Sequence, residues 1–203
     1  MPKPRKGFRT PTALPAAVAA AAALTLAAPL APSATATTPA RPAAAAPGAA
    51  APGAGTTLIY DKNPSAPTDS RLSVYRDGKL QATYRAGSGI GVKDDCARNK
   101  GWMPDGNWRI KLKSRTYDGN VIKGHAVYLQ DMKCSKGTVT RTEMFLHSEM
   151  NRDGSSGRSE ARRWDGPSDY RSNGCVKLNP TDIKKMFRLL DRIGWPTHLR
   201  VVP

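Results

Sequence analysis

From Thr56 onward the chain alternates apolar and polar residues in short runs. In "RLSVYRDGKLQATYRAGSG", Leu72 and Val74, then Leu80, Ala82 and Tyr84, fall on every second position. That spacing puts side chains on one face of a β-strand. Asp77-Gly78 separates the two runs, and an Asp-Gly pair provides the positive φ of a tight hairpin turn. "NWRIKLKS" repeats the pattern, with Trp108, Ile110 and Leu112 alternating with Arg109, Lys111 and Lys113. "GHAVYLQDM" and "TEMFLHSE" predict two more short strands, and "HLRVV" a last one. The period changes once. Ile183, Met186, Phe187, Leu190 and Ile193 recur at helical spacing. Asn179 is a good N-cap, Pro180 suits the first helical position, and Asp182 complements the helix dipole in the first turn. Gly194 and Pro196 supply the stop. The pattern predicts a mainly β domain with at least one packed helix over 179–193.

The N-terminal quarter has neither period. Lys3, Arg5, Lys6 and Arg9 precede an apolar stretch from Leu14 to Ala31, and Ala34-Thr35-Ala36 follows. A basic segment, an apolar segment and an A-x-A pattern predict a secretory signal peptide over 1–36. The stretch is mostly alanine and is bracketed by Pro15 and Pro29, so a stable membrane span is not expected. Residues 37–55, "TTPARPAAAAPGAAAPGAG", hold no large apolar side chain and read as an Ala/Pro-rich linker. Residues 56–203 are long enough for one well-buried domain.

Charge adds a partner class. The chain carries 32 Lys+Arg against 16 Asp+Glu, a formal charge of +16. Removing residues 1–36 takes away four basic and no acidic residues, so the exported chain stays strongly basic. Such a protein is expected to meet polyanions outside the cell, unless the charge only aids solubility. Few aromatics, no nucleic-acid motif and an export signal argue against nucleic acid.

The chemistry-bearing residues are few. Three cysteines, Cys96, Cys134 and Cys175, leave one over in an oxidising compartment. Sequence alone allows three pairings. Cys96 and Cys134 sit in polar, loop-like surroundings, where a secreted protein places a staple. A bridge between them is worth roughly 3–4 kcal/mol by chain entropy. Cys175 is then the free thiol, in "SNGCVKL". Gly174 leaves room for a carbonyl to approach, and the N–H groups of Gly174 and Cys175 are candidate oxyanion donors. Arg171 and Lys177 suggest a positive local field, which favours a thiolate. A nucleophilic thiol needs a base, and His125, His147 and His198 are available. His147 ends the apolar run Met144-Phe145-Leu146 and is placed at the mouth of a buried strand. Three histidines without a close cluster fall short of a metal-ligand set, and no cofactor is expected.

"FLHS" at 145–148 and "SNGCVKL" at 172–178 together resemble the signature of the L,D-transpeptidase catalytic domain, the YkuD-like family of bacterial cell-wall enzymes. The opening hairpin and "MPDGNWRIKLK", with Met103 in place of threonine, are also similar to the family. The likeness spans nearly all of 56–203. It implies a β-sandwich or open barrel with a helix near the C-terminus. It also implies acyl transfer on peptidoglycan stem peptides, through a Cys175 thioester, to give 3–3 cross-links. The resemblance assigns the nucleophile to Cys175 and the base to His147. Gly174, Ser172 and Asn173 shape the site, and Lys177 and Ser148 are candidates for substrate contact. Asn173 stands where many members carry a second histidine. The segment 151–170 is longer than usual and is expected to form a loop over the site. Two alternatives remain: an L,D-carboxypeptidase using the same thioester, and a non-catalytic cationic wall-binding protein.

Overall fold

The computed structural model describes residues 55–155 and 166–203. The expected signal peptide over 1–36, nearly all of the expected 37–55 linker, and residues 156–165 of the long segment before Ser172 lie outside the described residues.

Eight strands close into a barrel, so the mainly β expectation holds, and the sheet leaves no open edge. Its members are β1 (Thr56–Asp61), β2 (Ser70–Arg76), β3 (Lys79–Ser88), β4 (Gly106–Asp118), β5 (Lys123–Leu129), β8 (Phe145–His147), β9 (Val176–Leu178) and β10 (His198–Val202). The order around the barrel is β1-β10-β4-β5-β8-β9-β3-β2. Two short strands, β6 (Met132–Lys133) and β7 (Thr140–Arg141), pair as a separate ribbon. Most neighbours are antiparallel, but β8 and β9 run parallel, with Leu146 opposite Val176 and His147 opposite Lys177.

Inward positions build one core. Leu58, Leu72, Val74, Trp108, Leu146 and Leu178 are fully buried. A side chain of that kind contributes about 1.5–3 kcal/mol when removed from water. Two expected inward residues point out instead. Leu80 is 56% exposed and Leu112 45% exposed. Each follows a break in register. Val74 pairs with Ala82 but Tyr75 with Leu80, and Ile110 pairs with Leu129 but Leu112 with Tyr128. An extra residue in one strand, Gln81 or Lys111, reverses which face the next side chain takes.

The predicted helix is α1 (Pro180–Ile193). Ile183, Met186, Phe187 and Leu190 join the barrel core. Asn179 caps it by accepting a hydrogen bond from the Thr181 N–H at 2.7 Å. Asn179→Ala is expected to cost about 1 kcal/mol, a fall in Tm of about 2–4 °C, measured by thermal melting. An unchanged Tm would show that the cap contributes nothing.

Candidate active site

The parallel β8–β9 pair sets the site. Leu146 and Val176 point into the core, so their neighbours Phe145, His147, Cys175 and Lys177 face the other side of the sheet. There they border a cavity of about 880 Å³, a size typical of ligand sites. Ser148, Glu149, Ser172 and Asn173 line it as well. Cys175 is the free cysteine, while Cys96 and Cys134 are joined by a disulfide.

The turn ahead of β9 is stitched by one hydroxyl. Ser172 Oγ donates to the Cys175 carbonyl at 2.6 Å and accepts from the N–H groups of Gly174 at 3.2 Å and Gly89 at 3.1 Å. That uses the full capacity of a hydroxyl, one proton and two lone pairs. Of the expected oxyanion pair, the Gly174 N–H is therefore engaged by Ser172. The Gly174 carbonyl accepts from Ser88 Oγ at 2.8 Å, which pins the turn from the core side.

His147 is held through its own chain. Its Nδ1 lies 3.1 Å from the Ser148 carbonyl, so the tautomer that satisfies this contact carries its proton on Nδ1 and leaves the Nε2 lone pair free to accept one. The Ser148 side chain is buried, and its hydroxyl has no hydrogen-bond partner among the described residues. Lys177 is buried and pairs with Glu149 at 3.0 Å. Asn173 is exposed at the rim. The remaining histidines lie elsewhere. His125 packs edge-on against Phe187, with ring centroids 4.9 Å apart, and His198 is exposed beside Thr197.

Residues 65–194 match the YkuD family, described as the L,D-transpeptidase catalytic domain. The chain belongs to this family. No curated protein matches it. Solved structures similar to it include an L,D-transpeptidase from Mycobacterium smegmatis, at 17% identity over 73% of this chain and 60% of that one, with a TM-score of 0.41. Mycobacterium tuberculosis L,D-transpeptidase 1 is 18% identical over 73% of this chain and 63% of that one, with a TM-score of 0.41. An L,D-transpeptidase from Xylanimonas cellulosilytica is 16% identical over 74% of this chain and 61% of that one, with a TM-score of 0.42. The chain therefore spans less than two thirds of the length of these structures.

In this L,D-transpeptidase-family domain the resting thiol is not a thiolate. Burial pushes Cys175 up to about 11, against a hydrogen bond from the Phe145 N–H at 3.3 Å and the charge of Arg141. The thiol proton points at the Glu143 carbonyl, 3.6 Å away. Burial likewise pushes His147 down to about 4, with the Ser148 carbonyl opposing it. The pair is therefore thiol and neutral imidazole at neutral pH, the forms from which general-base transfer starts. Alkylation of Cys175 by iodoacetamide is expected to be slow near pH 7 and to climb steeply above about pH 9. A rate that levels off below about pH 8 would show a preformed ion pair instead.

The positive field expected from Arg171 and Lys177 comes from another residue. Lys177 is paired with Glu149 and Arg171 is exposed. The buried cation beside Cys175 is Arg141, the last residue of β7. Nothing in "GTVTRTEMF" marks it, because an arginine among threonines reads as exposed. The one signal that bore on it was Gly174, whose missing side chain makes room for the Arg141 guanidinium.

Proposed function

We propose that this protein is a peptidoglycan L,D-transpeptidase that forms 3–3 cross-links through a thioester on Cys175. The observation that carries the reading is the placement of the free thiol and a neutral imidazole on one face of adjacent parallel strands, bordering one cavity. His147 Nε2 takes the thiol proton as Sγ bonds to the carbonyl carbon of the third stem residue, a diamino acid. The Cys175 N–H is the backbone donor proposed for the oxyanion. Collapse breaks the C–N bond, and His147 returns its proton to the departing D-alanine amine. The side-chain amine of a second stem then attacks the thioester, loses its proton to His147, and expels Sγ, which recovers it.

Ser172 holds the turn that presents Sγ. Asn173 at the rim, with Lys177 and Ser148 along the wall, is proposed to meet the stems. Export through residues 1–36 and work at the cell wall complete the reading, and the Cys96–Cys134 disulfide suits an oxidising compartment. The basic surface is proposed to keep the protein near anionic wall polymers.

Incubation with a disaccharide-tetrapeptide, followed by mass spectrometry, tests this. A dimer that has lost one D-alanine is expected. A tripeptide alone would assign the protein as an L,D-carboxypeptidase. Unchanged substrate with reduced Cys175 would overturn both.

A further inference from the structure

Arg141 is 3% exposed, and arginine is almost never buried so deeply unless paired. Among the described residues it forms no ion pair. Its Nη1 donates to the Asp95 carbonyl and, at 3.1 Å, to the Trp102 carbonyl. Its Nη2 donates to the Gly101 carbonyl at 3.4 Å and approaches Met144 Sδ at 3.9 Å. Neutral acceptors satisfy the hydrogen bonds and leave the positive charge in place, where low dielectric makes it felt.

The three carbonyls come from one segment, 95–102, and that segment is fixed to the ribbon carrying Arg141. The Cys96–Cys134 disulfide ties the two together. Asp95, itself buried, accepts from the Ser135 N–H at 3.0 Å and from Ser135 Oγ at 2.8 Å. The Asp95 carboxylate is thus spent on Ser135, while its carbonyl holds the guanidinium. On its other side the guanidinium lies against the Gly174 backbone, where any Cβ would overlap it.

We propose that Arg141 is a positioning residue for the Cys175 reaction, a cation held beside the nucleophile's turn by the disulfide-stapled segment so that the thiolate is stabilised as it forms. The inference rests on Cys175 being the nucleophile. The other charged groups bordering the same cavity are Arg98, which is exposed, Glu143, His147, Glu149, Lys177 and Arg171. Glu143 opposes the thiolate, Lys177 and Glu149 offset one another, and Arg171 is exposed. His147 is the base and is neutral before transfer. Arg141 is therefore the buried positive charge of the set that makes no ion pair among the described residues, with the Asp95 carboxylate opposing part of its charge. Its structure also makes a nucleophile that is fully armed only once the disulfide has formed.

The test is the pH profile of Cys175 alkylation by iodoacetamide, read on the Cys175 peptide by mass spectrometry in the full chain. Arg141→Met is expected to move the profile to higher pH by about one unit, so that alkylation at pH 9 slows about tenfold. Arg141→Lys, which keeps the charge, is expected to restore most of the wild-type profile. Cys96→Ser/Cys134→Ser is expected to shift it in the same direction as Arg141→Met. An Arg141→Met profile superimposable on the wild type overturns the role of Arg141. A shift in Arg141→Met without one in the double serine variant overturns the role of the staple. If Arg141→Met fails to fold by circular dichroism, Arg141→Gln takes its place, and an Arg141→Gln profile superimposable on the wild type overturns the role of Arg141. Failure of the transpeptidase reading appears in the tetrapeptide digest and not in this profile, so the two are separable.

Discussion

Cys175→Ala is expected to reduce cross-linking to the no-enzyme background while leaving the fold intact. The two halves of that expectation have separate physical grounds. Activity is lost because the covalent route needs a nucleophile that alanine lacks, and removing the attacking group of such a site typically removes most of the rate enhancement. Stability is kept because the sulfur lies on the outer face of β9, in a small cluster with Ala126 and Phe145, apart from the main core. Replacing one partly packed sulfur there is expected to cost no more than about 1–2 kcal/mol. No ion is lost with it, since a buried thiol pushed up to about 11 is neutral at pH 7. The measurements are the disaccharide-tetrapeptide digest and a thermal melt on the same preparation. A Cys175→Ala protein that still cross-links would sink the thioester route. One that loses no wall-related function at all would favour the binding module.

What was legible in the sequence divides along physical lines. The α1 helix could be read because its signals are local: a cap, a proline, a dipole-matched acid and a stripe that its own neighbours complete. The β2–β3 hairpin could be read for the same reason. By contrast, β1 was missed, because Ile59 stands between the inward Leu58 and Tyr60 and blurs the alternation. The strand β9 was missed because all three of its residues are buried, Lys177 included, so no period of two exists in it. The bulges at Gln81 and Lys111 were invisible because they are settled by pairing with a partner strand. The positions of Cys175 and His147 were legible from their flanking residues, but their electrostatics were not. Sequence neighbours suggested that Arg171 and Lys177 set the field. The fold pairs Lys177 with Glu149 and brings in Arg141 from a ribbon far upstream. Proximity in space, and the burial that raises the thiol, follow from the closed barrel and from no local pattern.

Gly174→Ala is expected to lower both stability and activity. Gly174 has φ +111, a conformation that side chains rarely adopt, and holding alanine there costs about 1–3 kcal/mol from the backbone alone. The added Cβ also has nowhere to go. It would overlap the Arg141 guanidinium and approach the Gly101 carbonyl to 2.9 Å. Two responses are open, and both reach the nucleophile. If the guanidinium yields, it leaves the carbonyls of Asp95, Gly101 and Trp102, and the stapled segment loses its anchor. If the turn yields, the Ser172 hydrogen bonds to Gly174 and Cys175 stretch and Sγ is misplaced. A misplacement of about 1 Å at a reacting atom can cost about a hundredfold in rate. The expected result is a Tm lowered by about 2–4 °C per kcal/mol together with a kcat reduced by about two orders of magnitude. A double-mutant cycle locates the cause. In an Arg141→Ala background the overlap with the guanidinium is gone, while the strain at φ +111 and the close Gly101 carbonyl remain, so the Gly174→Ala penalty is expected to shrink by about 0.5–3 kcal/mol, the range for residues in contact. Additive effects of the two changes would show that the glycine answers only to its backbone angle, and that the close approach of the guanidinium carries no energetic weight.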